Sequence, residues 1–395
     1  MKSSSHQNRT LIRKKSKVNQ LKIVTIVGTR PEIIRLSRVM PVLDRDFDHV
    51  QIHTGQNYDH ELNEIFYEDL SLRKPDFYLD AARENANQTI SAVMSAADNV
   101  LREVQPDAVL VLGDTNSCIG LLAAKKLKIP TFHMEAGNRC FDQRVPEETN
   151  RRLVDHIADI NMPYSTIARE YLLREGIPPD QVIVTGSPMR EVLHYYSAAI
   201  GRSSILKEMG LEREAYFVVS LHREENIEDI GRFIGFVEML NTLARQRGLP
   251  IVVSMHPRTR NQIKNLDIQF DDLVQVIKPI SFTNYVSLQI NSRAVLSDSG
   301  TISEESSILG FGAINLRQSH ERPEAMEEGA VMMVGNSPER LLNALDILDQ
   351  SREFREHPVS LPHDYLPMNV SEKVSRIILS YTDYVNQMVL RKEMF

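Results

Sequence analysis

The stretch Leu21-Lys22-Ile23-Val24-Thr25-Ile26-Val27-Gly28-Thr29-Arg30-Pro31-Glu32 decides the fold. It joins an apolar run, Leu21–Val27, to a turn that contains Gly28 and Pro31. Such a run predicts a strand that is buried on both faces. Because proline is favoured in the first turn of a helix, we expect a helix over Glu32–Leu43. A buried strand that leads directly into a helix indicates a parallel sheet with helices on its faces.

The same alternation continues along the chain. In the first half, strands are predicted at Val50–Thr54, Ala108–Leu112 and Thr131–Met134, and helices at Asn87–Val104, Ser117–Leu127 and Glu147–Ala158. After Gly186-Ser187-Pro188 the pattern restarts, with strands at Tyr216–Ser220, Ile251–Met255, Val274–Ile277, Ala294–Ser297 and Ala313–Asn315, and helices at Ile230–Arg245, Phe282–Asn291 and Thr301–Leu309. The alternation predicts an α/β protein of two doubly wound domains, whose strand ends face one ligand-binding cleft.

Length also favours two domains, because 395 residues exceed what one ordinary core accommodates. We expect a basic tail over residues 1–20, an N-terminal domain over 21–190, a C-terminal domain over 191–372 and a C-terminal helix over 373–395 that packs across the junction. The linker between the domains is expected near residues 188–200.

Composition and charge narrow the class of protein. Hydrophobic residues make up 42% of the chain and charged residues 25%, which is typical of a globular protein. Cys118 and Cys140 are the only cysteines, so we predict no disulfide framework and a cytoplasmic location. No apolar stretch approaches the roughly 18 residues that span a bilayer, so membrane insertion is not predicted.

The basic tail has two interpretations. Residues 1–20 contain six Lys and Arg residues and no acid, which leaves 40 basic against 53 acidic residues in the rest of the chain. The tail could contact nucleic acid or a membrane surface, but we favour a disordered, solvating extension. The acidic remainder argues against nucleic acid as a partner.

An acid-rich segment spans Pro130–Arg139 and Val145–Arg152. It places three carboxylates, one imidazole and three guanidinium groups beside a short apolar run. Such groups are costly in apolar surroundings unless they pair or do chemistry. Glu135 follows a predicted strand, and Glu147 lies at a predicted helix start. The segment therefore suits proton transfer on an anionic substrate.

Two predicted strand-to-helix turns could bind an anion. At Gly28–Glu32, Arg30 could reinforce the helix N-terminus, although a well-made helix start explains the motif equally well. The turn matches neither a dinucleotide fingerprint nor a Walker A loop, so neither NAD nor ATP is predicted as a cofactor. At Ser297–Ser306, the group Ser299, Gly300 and Thr301 could bind a pyrophosphate, and a following carboxylate could bind a ribose. A capping box is the alternative there, and both can hold together.

Three further sets of residues lie at predicted strand ends. Asp114 is either a helix N-cap or a catalytic carboxylate, and taken alone it favours the cap. His222 and His256 follow two strands of the second half, which favours an anion or sugar site over an isolated structural role. Their spacing does not fit zinc, so no metal site is predicted. Glu321-Arg322-Pro323-Glu324 is either a solvated loop or part of the cleft edge.

Taken together, these motifs resemble the non-hydrolysing UDP-N-acetylglucosamine 2-epimerase family over about residues 22–375. The motifs in order are Gly-Thr-Arg-Pro-Glu at 28–32, Gly-Asp-Thr at 113–115, His-Met-Glu-Ala-Gly at 133–137, Pro-Glu-Glu-Thr-Asn-Arg at 146–151, Thr-Gly-Ser-Pro at 185–188, His-Arg-Glu-Glu-Asn at 222–226, Ser-Asp-Ser-Gly at 297–300 and Glu-Arg-Pro-Glu at 321–324. The resemblance implies a GT-B-like fold of two Rossmann-like domains, the second of which binds UDP. It also implies a UDP-sugar substrate, a homodimer, and neither a metal nor a nicotinamide cofactor.

Finer features are similar to the branch that makes UDP-N-acetyl-L-fucosamine from UDP-2-acetamido-2,6-dideoxy-L-talose for capsule or O-antigen synthesis. They are His53–Asp59, Asp114–Ser117, Gly137–Gln143 and Ser319–Glu324. The enzymes acting on UDP-N-acetylglucosamine commonly have Arg where this chain has Glu224, at a position linked to activation by a second substrate molecule. The reversed charge argues against that activation here.

The resemblance also implies a mechanism and residue roles. UDP is eliminated across C1 and C2 to give a glycal, and is then added back as a proton reaches the other face of C2. Asp114, Glu135 and Glu147 match the family's catalytic acids, and His222 matches a histidine near the phosphates. The remaining matches are substrate-binding residues: Arg30, Arg35, His256, Ser299, Gly300, Thr301, Glu305 and Arg322.

Four other functions are compatible with parts of this pattern. They are a 2-epimerase acting on UDP-N-acetylglucosamine, a GT-B glycosyltransferase, a hydrolysing 2-epimerase and a catalytically silent sensor of sugar nucleotides. A glycosyltransferase has little use for so many acids, and binding alone does not require them. We therefore favour the C2 epimerase.

Overall fold

The computed structural model describes residues 20–56, 60–221, 230–255, 269–318, 320–354 and 360–392. The first six strands are β1 (Lys22–Val27), β2 (Asp48–His53), β3 (Phe77–Tyr78), β4 (Ala108–Leu112), β5 (Thr131–Met134) and β6 (Ile160–Met162). The next six are β7 (Phe217–Ser220), β8 (Ile251–Ser254), β9 (Val274–Ile277), β10 (Ala294–Ser297), β11 (Ala313–Asn315) and β12 (Met332–Met333). They form two six-stranded sheets in which neighbouring strands are parallel.

Both sheets have the same doubly wound strand order. The first runs β3-β2-β1-β4-β5-β6, and the second runs β12-β11-β10-β7-β8-β9. In each sheet the direction of winding reverses beside the first strand, between β1 and β4 and between β7 and β10. Ligands of such sheets bind at this switch point, beyond the carboxyl ends of the strands. The predicted α/β fold with two GT-B-like halves is confirmed.

Helices connect the strands. The first half contains α1 (Arg30–Leu36), α2 (Val39–Asp46), α3 (His60–Asp69), α4 (Ala86–Val104), α5 (Leu121–Lys126), α6 (Glu147–Ile157) and α7 (Thr166–Arg174). The rest are α8 (Met189–Gly201), α9 (Ile205–Glu208), α10 (Ile230–Arg247), α11 (Phe282–Asn291), α12 (Thr301–Leu309), α13 (Pro323–Glu327), α14 (Pro338–Phe354) and α15 (Val370–Tyr384). Short 3₁₀ turns lie at Asn116–Gly120, Pro179–Gln181 and His363–Tyr365, and a π turn at Val385–Val389 follows α15.

The hydrophobic core covers both faces of each sheet. Along β1, Ile23 and Val27 belong to one apolar cluster, whereas Val24 and Ile26 belong to the cluster on the other face. This division follows from the two-residue period of a strand, and it explains why β1 is apolar throughout.

Several contacts join the two halves. Phe282 of α11 packs into a core cluster of the first sheet. The carboxylate of Asp69 in α3 accepts hydrogen bonds from the backbone N–H of Thr283 at 2.9 Å and from its hydroxyl at 2.6 Å. At the end of the chain, α15 packs against α2, where Ser375 donates to Asp46 at 2.6 Å.

Two of the predicted segments have a conformation that the sequence pattern does not show. The helix predicted over Glu32–Leu43 is divided into α1 and α2, because the ring of Pro41 clashes with the carbonyl four residues earlier in a continuous helix. The segment predicted as a linker near residues 188–200 is helix α8, whose side chains Val192, Leu193 and Tyr196 are buried. The predicted domain boundaries remain predictions, and most of the basic tail lies outside the described residues. None of the described helices is long and apolar enough to cross a membrane.

Candidate active site

The switch point of the first sheet is held together by Glu32. Its carboxylate accepts the backbone N–H of Gly28 at 2.6 Å and that of Thr29 at 3.3 Å, as well as the hydroxyl of Thr115 beyond β4. Burial raises the pKa of Glu32 to about 7, although these hydrogen bonds oppose the rise. The amides of Gly28 and Thr29 are therefore already bonded to a carboxylate of the protein. Arg30, which begins α1 and lies over the ring of Phe66, is the cation of this turn.

Asp114 pairs with an arginine and does not cap a helix. The cap is Thr115, whose hydroxyl accepts the backbone N–H of Ser117, so the N-cap interpretation of Asp114 is wrong. Instead, Asp114 Oδ2 accepts from Arg151 Nε at 3.0 Å and from Nη2 at 2.6 Å. Burial raises the pKa of Asp114 against the opposing charge of Arg151, and the carboxylates of Glu321 and Glu135 add to the rise.

Glu135 follows β5 in a left-handed backbone conformation, with φ of +63°. Its Oε1 accepts from Arg322 Nη2 at 2.5 Å and from Asn138 Nδ2 at 3.1 Å, and its Oε2 lies 3.6 Å from Arg35 Nε. Burial alone raises the pKa of Glu135, but Arg322 and Arg35 outweigh it and hold the pKa below its ordinary value. Glu135 and Asp114 thus have pKa values shifted in opposite directions.

Arg35 and Arg322 also meet a second carboxylate, that of Glu304 in α12. Arg35 Nη2 donates to Glu304 at 2.8 Å, and Arg322 Nη2 lies 4.0 Å away. Both arginine side chains are buried, yet Arg35 Nη1 and Arg322 Nε and Nη1 make no hydrogen bond with any residue that the structure describes. Buried guanidinium donors in this state favour an anionic ligand.

The start of α12 offers a second anion site. Its N-cap is Gly300, which has no side chain to cap the helix, so the alternative interpretation of this motif as a capping box is wrong. The hydroxyls of Ser299 and Thr301 lie 3.1 Å apart at the helix start, where Ser299 Oγ also accepts the backbone N–H of Thr301 at 3.3 Å. Glu305, one turn further, accepts from Gln289 Nε2 at 2.8 Å, and burial raises its pKa to about 7. This arrangement suits a diphosphate with a ribose beside it.

Comparison with known proteins identifies the family. The sequence profile described as UDP-N-acetylglucosamine 2-epimerase matches residues 42–379. The chain belongs to the UDP-N-acetylglucosamine 2-epimerase family. The predicted enzyme class, a UDP-sugar 2-epimerase, is confirmed.

Three relatives illustrate the range of similarity. The structure of UDP-N-acetylglucosamine 2-epimerase from Rickettsia bellii has 43% sequence identity and a TM-score of 0.88, covering 95% of this chain and 100% of that one. The enzyme from Methanocaldococcus jannaschii, solved in complex with UDP-GlcNAc and UDP, has 32% identity and a TM-score of 0.84 over 91% of this chain and 100% of that one. The UDP-2,3-diacetamido-2,3-dideoxy-D-glucuronate 2-epimerase of Pseudomonas aeruginosa is 33% identical, covering 82% of this chain and 91% of that protein.

In this epimerase, a series of ion pairs and hydrogen bonds runs through the acid-rich segment. It begins at Asp114, which pairs with Arg151, and ends at the carbonyl of Gly113. Arg151 Nη1 donates to Glu148 at 3.1 Å, and Arg152 Nη2 donates to the same carboxylate at 3.1 Å. Arg152 also lies 3.9 Å from Glu175.

Arg139 pairs with two further carboxylates, those of Glu175 and Asp155. It donates to Glu175 through Nε and Nη2, and to Asp155 through Nη1 at 2.7 Å. Asp155 lies 3.0 Å from His133 Nδ1, and His133 Nε2 donates to the carbonyl of Gly113 at 2.7 Å. Asp155 also accepts the backbone N–H of Gly137 at 3.2 Å, so these ion pairs extend to the turn that follows Glu135.

Of the predicted site residues, the structure brings Arg35, Asp114, Glu135 and Arg322 together. Glu147 begins α6 and is half-buried, whereas the adjacent Glu148, which the motif analysis left unassigned, is fully buried between Arg151 and Arg152. Sequence reasoning also missed Glu32, Glu304 and Arg151 as paired groups of the site, and a motif position alone does not show which of two adjacent glutamates faces inward. His222 and His256 lie outside the described residues.

Among the described residues, no group of three or more His, Cys, Asp or Glu side chains is arranged to hold a metal ion.

Proposed function

We propose that this chain epimerises C2 of a UDP-2-acetamido sugar by eliminating UDP and adding it back. The C2 proton of such a sugar is not next to a carbonyl, so direct removal leaves an unstabilised carbanion. Loss of UDP from C1 as the proton leaves C2 gives a neutral glycal instead. The observation that carries the proposal is the pair Asp114 and Glu135, two carboxylates in one cleft whose pKa values are shifted in opposite directions.

The two carboxylates then take complementary roles. Glu135, held ionised by Arg322 and Arg35, is the base that removes the C2 proton of the starting sugar. Asp114, whose raised pKa favours the protonated form, delivers a proton to the opposite face when UDP adds back. In the reverse reaction the roles exchange. Glu147, which begins α6 one turn before the Arg151 that pairs with Asp114, is the third carboxylate that we assign to the ring.

The leaving UDP requires stabilisation of its negative charge. We assign this role to the open start of α12 at Ser299, Gly300 and Thr301, to Arg30, and to the unbonded guanidinium donors of Arg35 and Arg322. Glu305 is assigned to the ribose hydroxyls. From the motif positions, His222 is assigned to the phosphates and His256 to UDP.

The sugar that we propose is UDP-2-acetamido-2,6-dideoxy-L-talose, with UDP-N-acetyl-L-fucosamine as the product for capsule or O-antigen synthesis. Support comes from the segments Gly137–Gln143 and Ser319–Glu324 and from the charge of Glu224. The second candidate substrate is UDP-N-acetylglucosamine, which the names of the Rickettsia and Methanocaldococcus relatives favour. We also propose that the chain forms a homodimer in the cytoplasm and that its domains have the boundaries given above.

The substrate is tested by incubating the chain with each UDP-sugar separately in deuterated water. NMR of the products should show epimerisation of the L-talose compound with deuterium at C2. If the chain turns over UDP-N-acetylglucosamine but not the L-talose compound, UDP-N-acetylglucosamine is the substrate. A product without deuterium at C2 would exclude the elimination route for either sugar.

Two variants test the roles of the acids. Glu135→Gln should abolish both deuterium incorporation and UDP release, because the first proton is not removed. Asp114→Asn should still release UDP and glycal from the forward substrate, because elimination precedes the step that needs its proton. Normal turnover by either variant would overturn its assignment.

A further inference from the structure

Tyr164 lies just beyond β6 at the carboxyl edge of the first sheet, and no motif pointed to it. Its side chain is fully buried. The guanidinium carbon of Arg35 lies over its ring, 5.6 Å from the centroid, and that of Arg322 lies over the same ring at 5.4 Å. One aromatic ring therefore contacts both cations that pair with Glu135.

The arrangement addresses an electrostatic problem. Arg35 and Arg322 share the carboxylates of Glu135 and Glu304. The positive charge of Arg322 acts to lower the pKa of Arg35, against the raising effect of the two carboxylates. Glu135 and Glu304 compensate these charges from one direction. The electron-rich face of an aromatic ring attracts a guanidinium, and the attraction is strongest where water is excluded, as it is here. The ring thus stabilises both cations without competing for their N–H donors.

Unlike its ring, the hydroxyl of Tyr164 does not interact with the two arginines through a hydrogen bond. It is buried and makes no hydrogen bond with any described residue, while burial and the nearby Glu135 raise the pKa of the phenol well above its ordinary value. The hydroxyl therefore stays protonated at neutral pH and makes no contact that fixes either arginine. The ring is the part of Tyr164 that acts on the site.

We propose that Tyr164 is a positioning residue, whose ring holds Arg35 and Arg322 against Glu135. The inference rests on the proposed role of Glu135 as the base. Without the ring, the two guanidinium groups separate, and Glu135 loses part of the charge that favours its ionised form. The consequence is a smaller ionised fraction of Glu135 at low pH and a misplaced carboxylate at every pH.

The test compares three substitutions in the full chain. Tyr164→Phe keeps the ring, whereas Tyr164→Met and Tyr164→Leu remove it and differ in volume. Tyr216→Leu is the matched control, because Tyr216 is an equally buried tyrosine whose hydroxyl donates to the carbonyl of Leu288 at 2.7 Å, away from the arginines. Circular dichroism and thermal unfolding establish which variants fold, and kcat, KM and the pH profile of kcat/KM are then measured with the substrate that wild type turns over.

The ring-free variants should lose on the order of 100-fold in kcat, as a misplaced catalytic group does. The acidic limb of their pH profile should move up by about one unit, because a nearby cation lowers a carboxyl pKa by at least that amount. Tyr164→Phe should stay within about fivefold of wild type with an unmoved limb, the effect of at most one hydrogen bond. Tyr216→Leu should lower stability and leave the limb unchanged.

Each other outcome has a defined meaning. A folded ring-free variant with the wild-type limb and kcat would overturn the inference, as would a Tyr164→Phe variant as impaired as Tyr164→Leu. If Tyr164→Leu does not fold, Tyr164→Met gives the same comparison with a side chain closer in volume, and failure of both to fold would make Tyr164 a structural residue and overturn the proposal. Absence of C2 epimerisation or deuterium incorporation by wild type itself would refute the proposed function and not this inference.

Discussion

Replacing Gly137 by alanine should disturb the site through a single added methyl group. Gly137 lies two residues beyond Glu135, at φ of +79°, and its N–H donates to both carboxylate oxygens of Asp155 at 3.2 Å. A Cβ atom here lies 2.4 Å from the carbonyl oxygen of Ala168 and 2.9 Å from Leu172 Cγ. The carbonyl belongs to helix α7 and cannot turn aside as a side chain does, so the turn itself must shift.

The size of the effect follows from two contributions. An alanine in the left-handed region costs roughly 1–2 kcal/mol, and an added methyl group in a tightly packed site costs about 1–3 kcal/mol more. Ordinary contact begins near 3.4 Å, so the turn must move by about 1 Å. A displacement of about 1 Å at a catalytic group lowers the rate by on the order of 100-fold. We therefore expect a loss of about 2–5 kcal/mol in unfolding free energy and about 100-fold in kcat.

Gly176→Ala is the matched control. Gly176 also has a left-handed φ, of +89°, but a Cβ there meets no atom within 4 Å. Gly176→Ala should lose only the roughly 1–2 kcal/mol of unfolding free energy that a left-handed alanine costs, and its kcat should be unchanged. Urea unfolding followed by circular dichroism measures the loss. If Gly137→Ala loses no more stability than Gly176→Ala and keeps its kcat, the argument that this turn positions Glu135 is refuted.

Three further predictions concern charges. Arg139→Met should lower the free energy of unfolding by about 3–5 kcal/mol in urea titrations, because it leaves the buried Asp155 without its cation; a loss below 1 kcal/mol would contradict this. The pKa of Glu32 is raised from 4.5 to about 7, so the folded state binds its proton more tightly and wild type should lose on the order of 3 kcal/mol of stability as pH rises from about 4.5 to about 7. Glu32→Gln should remove that slope, and parallel stability curves for the two proteins would count against it. Glu305→Gln should weaken UDP binding about tenfold by calorimetry but leave 2′,3′-dideoxy-UDP binding unchanged, since only UDP offers the ribose diol; equal losses for both nucleotides would refute the ribose assignment.

Regular elements were predictable where the sequence pattern is local. Ala108–Leu112 and Thr131–Met134 are strands at the predicted residues, because continuous apolar runs between polar turns admit few other conformations. The division of the first helix does not follow from the pattern, because the apolar period continues past Pro41, whose ring and missing N–H interrupt the helix.

The site was less predictable, for two physical reasons. Adjacent glutamates such as Glu304 and Glu305 differ by about 100° around a helix, so an error of one residue in phase exchanges the buried and half-buried one. The partner of Glu135 is Arg322, which is 187 positions away in sequence. No local sequence pattern predicts such a pair, because the two residues come together only when the two halves of the protein pack against each other.

The ion pairs across the cleft have a consequence for recombination between relatives. The charge of Glu135 is set by Arg322, and Arg151 lies 3.4 Å from Glu321 on the opposite half. A chimaera that takes its N-terminal half from one epimerase and its C-terminal half from another receives the two members of each pair from different parents. Such chimaeras should fold, but the pKa values of their catalytic carboxylates should differ from those of the parents unless the two halves carry matching partners. Exchange of substrate preference by domain shuffling therefore requires that the paired residues on both sides of the cleft be exchanged together.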